Sequence, residues 1–184
     1  MTRLREILLL APLLAGLALA ACTPAPVAAP PVDQREVMAL TQTLIALGPE
    51  VDPDEAARAA RISFEYASQL AQDWRVTDPP LIHNSKVNLG LRPRGLCYQW
   101  ADDIKARLAE ENFQTLDLHY AAAHAGDIWR EHNSVIVSQR GDTLFQGVVL
   151  DGWRYGGKLF WSRTGEDPRY EWFPLAPEVD PDRL

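Results

Sequence analysis

Three residues in the second half of the chain carry groups that can act together on a carbonyl carbon: Cys97, His132 and Asp151. A thiolate is a strong nucleophile, an imidazole can take the thiol proton and later protonate a leaving group, and a carboxylate can fix the imidazole's tautomer and favour its charged form. Joined in this way, cysteine and histidine titrate as a unit. The chain has only two cysteines, Cys22 and Cys97, so a thiol at Cys97 without a partner in the chain is buried and inert, linked to another chain, or retained because its nucleophilicity is used.

The chemistry requires elements that bring these groups together. Residues 98–111 read as a helix, because Trp100, Ile104 and Leu108 recur four apart on one face. Cys97 then lies in the first turn, where unsatisfied N–H groups and the positive end of the helix dipole favour thiolate and supply donors for a developing oxyanion. Gly95, two residues earlier, allows a sharp turn into that helix.

His132 and Asp151 are related by strand register. With Arg140-Gly141-Asp142-Thr143 as a two-residue hairpin turn of type II′, Gly141 at its first central position, Ser138 faces Phe145, Ile136 faces Gly147, Ser134 faces Val149, and His132 faces Asp151. Directly opposed residues have Cβ atoms roughly 4.5–5.5 Å apart, within reach of an imidazole–carboxylate hydrogen bond.

Upstream, Val37, Leu40, Leu44, Ile45 and Leu47 predict a helix stopped by Gly48-Pro49. Asp52 and Pro53 read as N-cap and first residue of a second helix, whose Ala56, Ala60, Phe64, Ala67 and Leu70 lead to Trp74. Residues 77–95, with three prolines and two glycines, read as irregular. Strands are expected over 116–121, 134–138, 144–151, 158–162 and 170–173. The fold expected is α+β, with N-terminal helices and a nucleophile helix packed on an antiparallel sheet.

Arg94-Gly-Leu-Cys-Tyr-Gln-Trp-Ala-Asp-Asp, Glu131-His-Asn-Ser-Val-Ile-Val and Val149-Leu-Asp-Gly-Trp-Arg resemble the transglutaminase-like branch of the papain-like fold, over roughly residues 95–161. The resemblance implies a papain-like core and a Cys97, His132 and Asp151 triad acting on amide or peptide bonds through a thioester acyl-enzyme, with hydrolysis or acyl transfer as the outcome. One departure is Asn133-Ser134, where the family commonly has an aromatic residue soon after the histidine. Members often complete the oxyanion hole with an upstream aromatic or amide side chain, for which Asn84, Asn88 and Tyr98 are candidates. Trp153, two residues past Asp151, is a candidate cleft wall.

The N-terminus resembles a bacterial lipoprotein signal peptide: residues 1–5 are short and basic, residues 7–20 are apolar, and Leu19-Ala20-Ala21-Cys22 has the form of a lipobox. This implies cleavage before Cys22 and its acylation. The expected organisation is a signal peptide over 1–21, lipidated Cys22 and a Pro/Ala-rich tether over 22–32, and a single domain over 33–184. The apolar run is shorter than the ~20 residues a spanning helix needs, so the expected membrane partner is a bilayer held through the acyl chains. Thr23 in place of the aspartate that commonly retains lipoproteins in the inner membrane favours the outer membrane, facing the periplasm. Envelope proteins or cell-wall peptides are the substrates expected from that location.

Removing residues 1–21 takes away Arg3, Arg5 and Glu6 and moves the net charge from −7 to about −8, which excludes the electrostatic footprint of a nucleic-acid binder. No cofactor is expected. His119, His124 and His132 match no compact zinc spacing, and no calcium-ligand motif is present. The dense C-terminal aromatics, from Trp153 to Phe173, suit sheet packing. They also suit an alternative reading in which the same fold is a non-catalytic envelope binding or assembly module.

Overall fold

The computed structural model describes residues 32–127 and 130–175. The expected signal peptide, Cys22 and the tether up to residue 31 lie outside the described residues, as do residues 176–184.

Asp33 caps α1 (Gln34–Ile45) by accepting the Arg35 N–H at 2.9 Å. Asp52 caps α2 (Pro53–Asp73), accepting the N–H groups of Asp54 and Glu55 at 2.7 and 3.0 Å, with Pro53 at the first helical position. The N-cap and proline follow the sequence reading. Leu40 and Leu44 of α1 are buried with Ala56, Ala59, Ala60 and Ala67 of α2. Within α2, these small side chains provide a shallow surface for packing.

The reading of residues 77–95 as irregular is corrected, since α3 (Pro80–Asn88) forms within it. Pro80 starts this helix rather than breaking it, because the first turn has no intrahelical use for the missing N–H. An ion pair of 2.7 Å between Lys86 and Asp78 ties the helix to the preceding loop. His83 is its only fully buried residue. Leu81, Ile82 and the following Leu89 and Leu91 remain exposed, so no apolar stripe marked the element in sequence.

The nucleophile helix is α4 (Cys97–Ala109). After it come β1 (Leu116–Ala123), β2 (His132–Gln139), β3 (Val148–Asp151), β4 (Phe160–Arg163) and β5 (Phe173–Pro174). They form an antiparallel sheet in the order β4-β3-β2-β1-β5. Val135 and Val137 of β2 and Val148 and Leu150 of β3 share one buried cluster with Trp100, Ile104 and Leu108 of α4. The opposite face buries Ile136 and Val149 with Ala121, Ala123, Leu144 and Trp172. The architecture is α+β, as expected.

The hairpin register differs from the expected one. Val135 pairs with Leu150, Ile136 with Val149 and Val137 with Val148, a slip of two residues. The chain first turns at Gln139, whose carbonyl accepts the Asp142 N–H at 3.0 Å, with Gly141 at φ +87°. A short 3₁₀ turn, Leu144–Gln146, then precedes β3. Leu144 is buried there, so the segment expected to extend the strand instead tucks an apolar side chain under the sheet. Direct opposition of His132 and Asp151 is therefore lost.

Candidate active site

The approach to α4 is tightly specified. Gly95 has φ +132°, and a Cβ on it would lie 2.4 Å from His83 Nε2. That ring nitrogen is 2.9 Å from the Arg94 carbonyl oxygen. Gln99 Oε1 accepts the N–H groups of Gly95 and Leu96 at 2.8 and 3.1 Å, and the Trp100 indole N–H donates to the Gly95 carbonyl at 3.1 Å. The loop is pinned from both sides, which places Cys97 at the first helical position with its own N–H unbonded among the described residues. Its Sγ lies 3.7 Å from the Glu131 carbonyl oxygen and 3.8 Å from Asn133 Oδ1.

His132 begins β2 and Asp151 ends β3, and the imidazole Nε2 stands 2.7 Å from Asp151 Oδ2. The slip of two residues makes the pair diagonal rather than opposed, but it keeps both side chains on one face, and an imidazole spans the added distance. That face is the one carrying Ile136, Val149 and Trp172, opposite the α4 packing face. Cys97 reaches the imidazole because α4 starts beside Glu131, at the very beginning of β2. Gly152 helps: a Cβ there would meet Trp100 at 2.7 Å, so β3 ends close against α4.

Asp151 is 1% exposed and accepts four hydrogen bonds. Besides His132, the Trp153 and Arg154 N–H groups donate to Oδ1 at 3.0 Å each, and Arg154 Nε donates to Oδ2 at 2.9 Å. Arg154 turns the rest of its fork onto Asp167, at 3.0 and 2.7 Å. Asp167 Oδ2 also accepts the Trp172 indole N–H at 2.9 Å. Two carboxylates and one guanidinium leave a net negative charge in this buried network. A protonated His132 neutralises it.

The ionisation of these groups follows. Burial pushes the His132 imidazolium towards losing its proton, but the charge and hydrogen bond of Asp151, with the adjacent Cys97 thiol, outweigh it and raise the pKa to about 9. Burial pushes Asp151 up, yet His132 and Arg154 hold it below the usual carboxylate value. Asp167 is lowered in the same sense, its burial overcome mainly by Arg154. Three aromatic rings surround the imidazole, with centroids 4.8 Å (Trp153), 4.6 Å (Tyr170) and 5.5 Å (Trp172) away. Such faces are compatible with a cation. His132 Nδ1 is buried and makes no well-formed hydrogen bond, so the nitrogen not committed to Asp151 is left for the thiol and for a reacting group.

Cys97 and His132 line a cleft of about 640 Å³. Asn84, Asn88, Tyr98 and Trp153, the candidates from sequence, all line it too. Asn84 Oδ1 accepts the Trp153 indole N–H at 3.0 Å, which leaves its amide NH₂ to donate. A concavity of about 720 Å³ between α1 and α2 contains no histidine or cysteine, so this chemistry does not reside there. Tyr170, one of the dense C-terminal aromatics, also lines the cleft of Cys97 and His132, whereas Arg154, Asp167 and Asn133 were not recognised from sequence. Arg154 could have been, as a cation three residues after Asp151, whereas Asp167 carries no local signal.

Among the described residues, no group of three or more His, Cys, Asp or Glu is arranged to hold a metal. His119 instead meets Ser138 Oγ at 2.7 Å through Nε2, well apart in role from the His132 pair. No described helix is long and apolar enough to cross a membrane. No protein-family model matches the chain, and no curated protein or solved structure matches it.

Proposed function

We propose that this chain is an envelope lipoprotein, anchored by acylated Cys22, whose Cys97, His132 and Asp151 cleave or transfer amide or peptide acyl groups as a transglutaminase-like enzyme on a papain-like core. The observation that carries the catalytic reading is the buried imidazole bound to Asp151 through Nε2, with Nδ1 uncommitted and the thiol of a helix N-terminus adjacent to the ring.

In this reaction the Cys97 thiolate attacks the carbonyl carbon and the C=O electron pair moves onto oxygen. The Cys97 N–H and the Asn84 amide are the donors available to that oxyanion. Its collapse breaks the C–N bond as the His132 imidazolium passes its Nδ1 proton to the departing nitrogen, leaving a thioester. Water or an amine then attacks the thioester, His132 takes its proton, and the thiolate is regenerated. Asp151 remains ionised throughout and holds the tautomer with Nε2–H.

The test is iodoacetamide labelling of the full chain, read at the Cys97 peptide by mass spectrometry between pH 5 and 8. Labelling should persist below pH 7 and fall about 10²-fold or more in His132→Ala, a loss in the range of removing a general base. Slow labelling indifferent to His132→Ala, in folded protein, would sink the catalytic reading and leave a non-catalytic binding module. Acylation of Cys22 as a new N-terminus is checked by the mass of the chain extracted from bacterial envelopes.

A further inference from the structure

The cleft is chemically two-sided. Leu81, Asn88 and Leu96 line it without a charge, and Leu81 is 69% exposed at its rim. Arg130 and Arg169 also line it, one from the loop before β2 and one from the loop before β5. Both are exposed. Arg58, Arg94, Arg107 and Arg154 each meet a carboxylate, but neither Arg130 nor Arg169 makes an ion pair among the described residues. The Arg169 guanidinium rests 5.6 Å from the Tyr170 ring centre, which holds it by the imidazole's aromatic neighbour.

Among the described residues, the one carboxylate lining the cleft is already engaged. Glu131 accepts the Gly126 N–H at 3.0 Å and the Asn133 amide at 3.3 Å. Two guanidiniums with no carboxylate partner among the described residues therefore line the cleft that holds the thiol, in a chain whose net charge is −7. A positive lip on a negative protein concentrates anions at that one place. A guanidinium fork matches a carboxylate in geometry as well as charge.

We infer that Arg130 and Arg169 form a subsite for a carboxylate of the substrate, so that the chain acts on peptides or amides carrying a free carboxylate close to the bond attacked. The inference rests on the reading of Cys97 as the nucleophile. It assigns specificity to two residues that take no part in the bond-breaking steps.

Two alkylating reagents of similar size test it on the full chain, because iodoacetate is an anion and iodoacetamide is neutral. The readout is the ratio of their rate constants at Cys97, measured by peptide mass spectrometry against the same ratio for glutathione. The ratio should fall about threefold in Arg130→Gln and in Arg169→Gln, and about tenfold in the double variant, as expected for charges acting across a watery cleft. Arg130→Lys and Arg169→Lys should retain most of it, and 1 M salt should abolish the difference between wild type and double variant.

A ratio unchanged in the folded double variant would overturn the inference. His132→Ala separates the underlying reading: loss of labelling by both reagents supports the nucleophile assignment, whatever the arginine variants do. Short peptides with a free C-terminal carboxylate should protect Cys97 from iodoacetamide better than their C-terminal amides. Equal protection by the amides, or protection by inorganic phosphate alone, would also overturn it.

Discussion

The buried network makes the protein's stability depend on the charge of His132, with a sign that can be worked out. Its pKa is about 9 in the folded chain against 6.5 for an ordinary histidine. A raised native pKa means that the folded state holds the proton more tightly than the unfolded state. The stabilisation is full below pH 6.5 and is lost as pH rises through about 9. At 1.36 kcal/mol per pKa unit it amounts to about 3 kcal/mol. About half should be gone near pH 7.8, and almost all by pH 9.5.

Urea unfolding of the full chain at intervals from pH 5.5 to 9.5 measures it, with Cys97→Ala as a second sample that lacks the thiol. Cys97→Ala should keep most of the decline, since Asp151 supplies the larger upward influence on His132. Asp151→Asn should reverse its sign: burial then dominates, the imidazole's pKa falls below 6.5, and stability drops on acidification instead. A wild-type profile flat to within about 0.5 kcal/mol across the window would refute the charge assignment, because a difference of 3 kcal/mol cannot be hidden in a stability of the usual 5–15 kcal/mol.

Three further outcomes are expected. Arg154→Met leaves Asp151 and Asp167 buried without their cation and should cost about 3–5 kcal/mol at pH 7 in urea unfolding; the loss should shrink near pH 4 as the carboxylates take up protons, and an unchanged or pH-independent midpoint would count against the network. Gly95→Ala places a Cβ against His83 at φ +132° and should lower the thermal midpoint by at least about 2–4 °C, for a loss above about 1 kcal/mol; a midpoint equal to wild type would show that the loop before α4 can move. Trp153→Phe keeps a ring beside His132 but loses the bond to Asn84, and about 1 kcal/mol of stability should go with it, checked by the shift in urea midpoint.

Much of the fold was legible because local chemistry and packing agree along the chain. Asp52-Pro53 signalled the start of α2 through groups that act within one turn, and the four-residue repeat of Trp100, Ile104 and Leu108 marked the buried face of α4. α3 was missed for the converse reason. It buries only His83, so it has no stripe, and its prolines read as breakers although one of them occupies the first helical position. Among the described residues, the short β5 pairs only through Phe173 and Pro174, and its place beside β1 depends on tertiary contacts that no local pattern encodes.

The His132–Asp151 contact was legible even though the register behind it was two residues out, and parity explains why. Side chains alternate along a strand, so an error of two leaves every residue on its expected face, whereas an error of one would have put the carboxylate on the opposite side of β3 from the imidazole's face. What register could not supply was the charge environment. Arg154 follows Asp151 closely, but Asp167 lies in the loop after β4, and only folding brings its carboxylate onto the same guanidinium. That second carboxylate engages both terminal nitrogens of Arg154, while the upward influence on His132 comes from Asp151 and Cys97. The paired groups were thus written in the alternation of two strands. The carboxylate that takes up the rest of the Arg154 fork comes from a third segment, and it arrives only when all three meet.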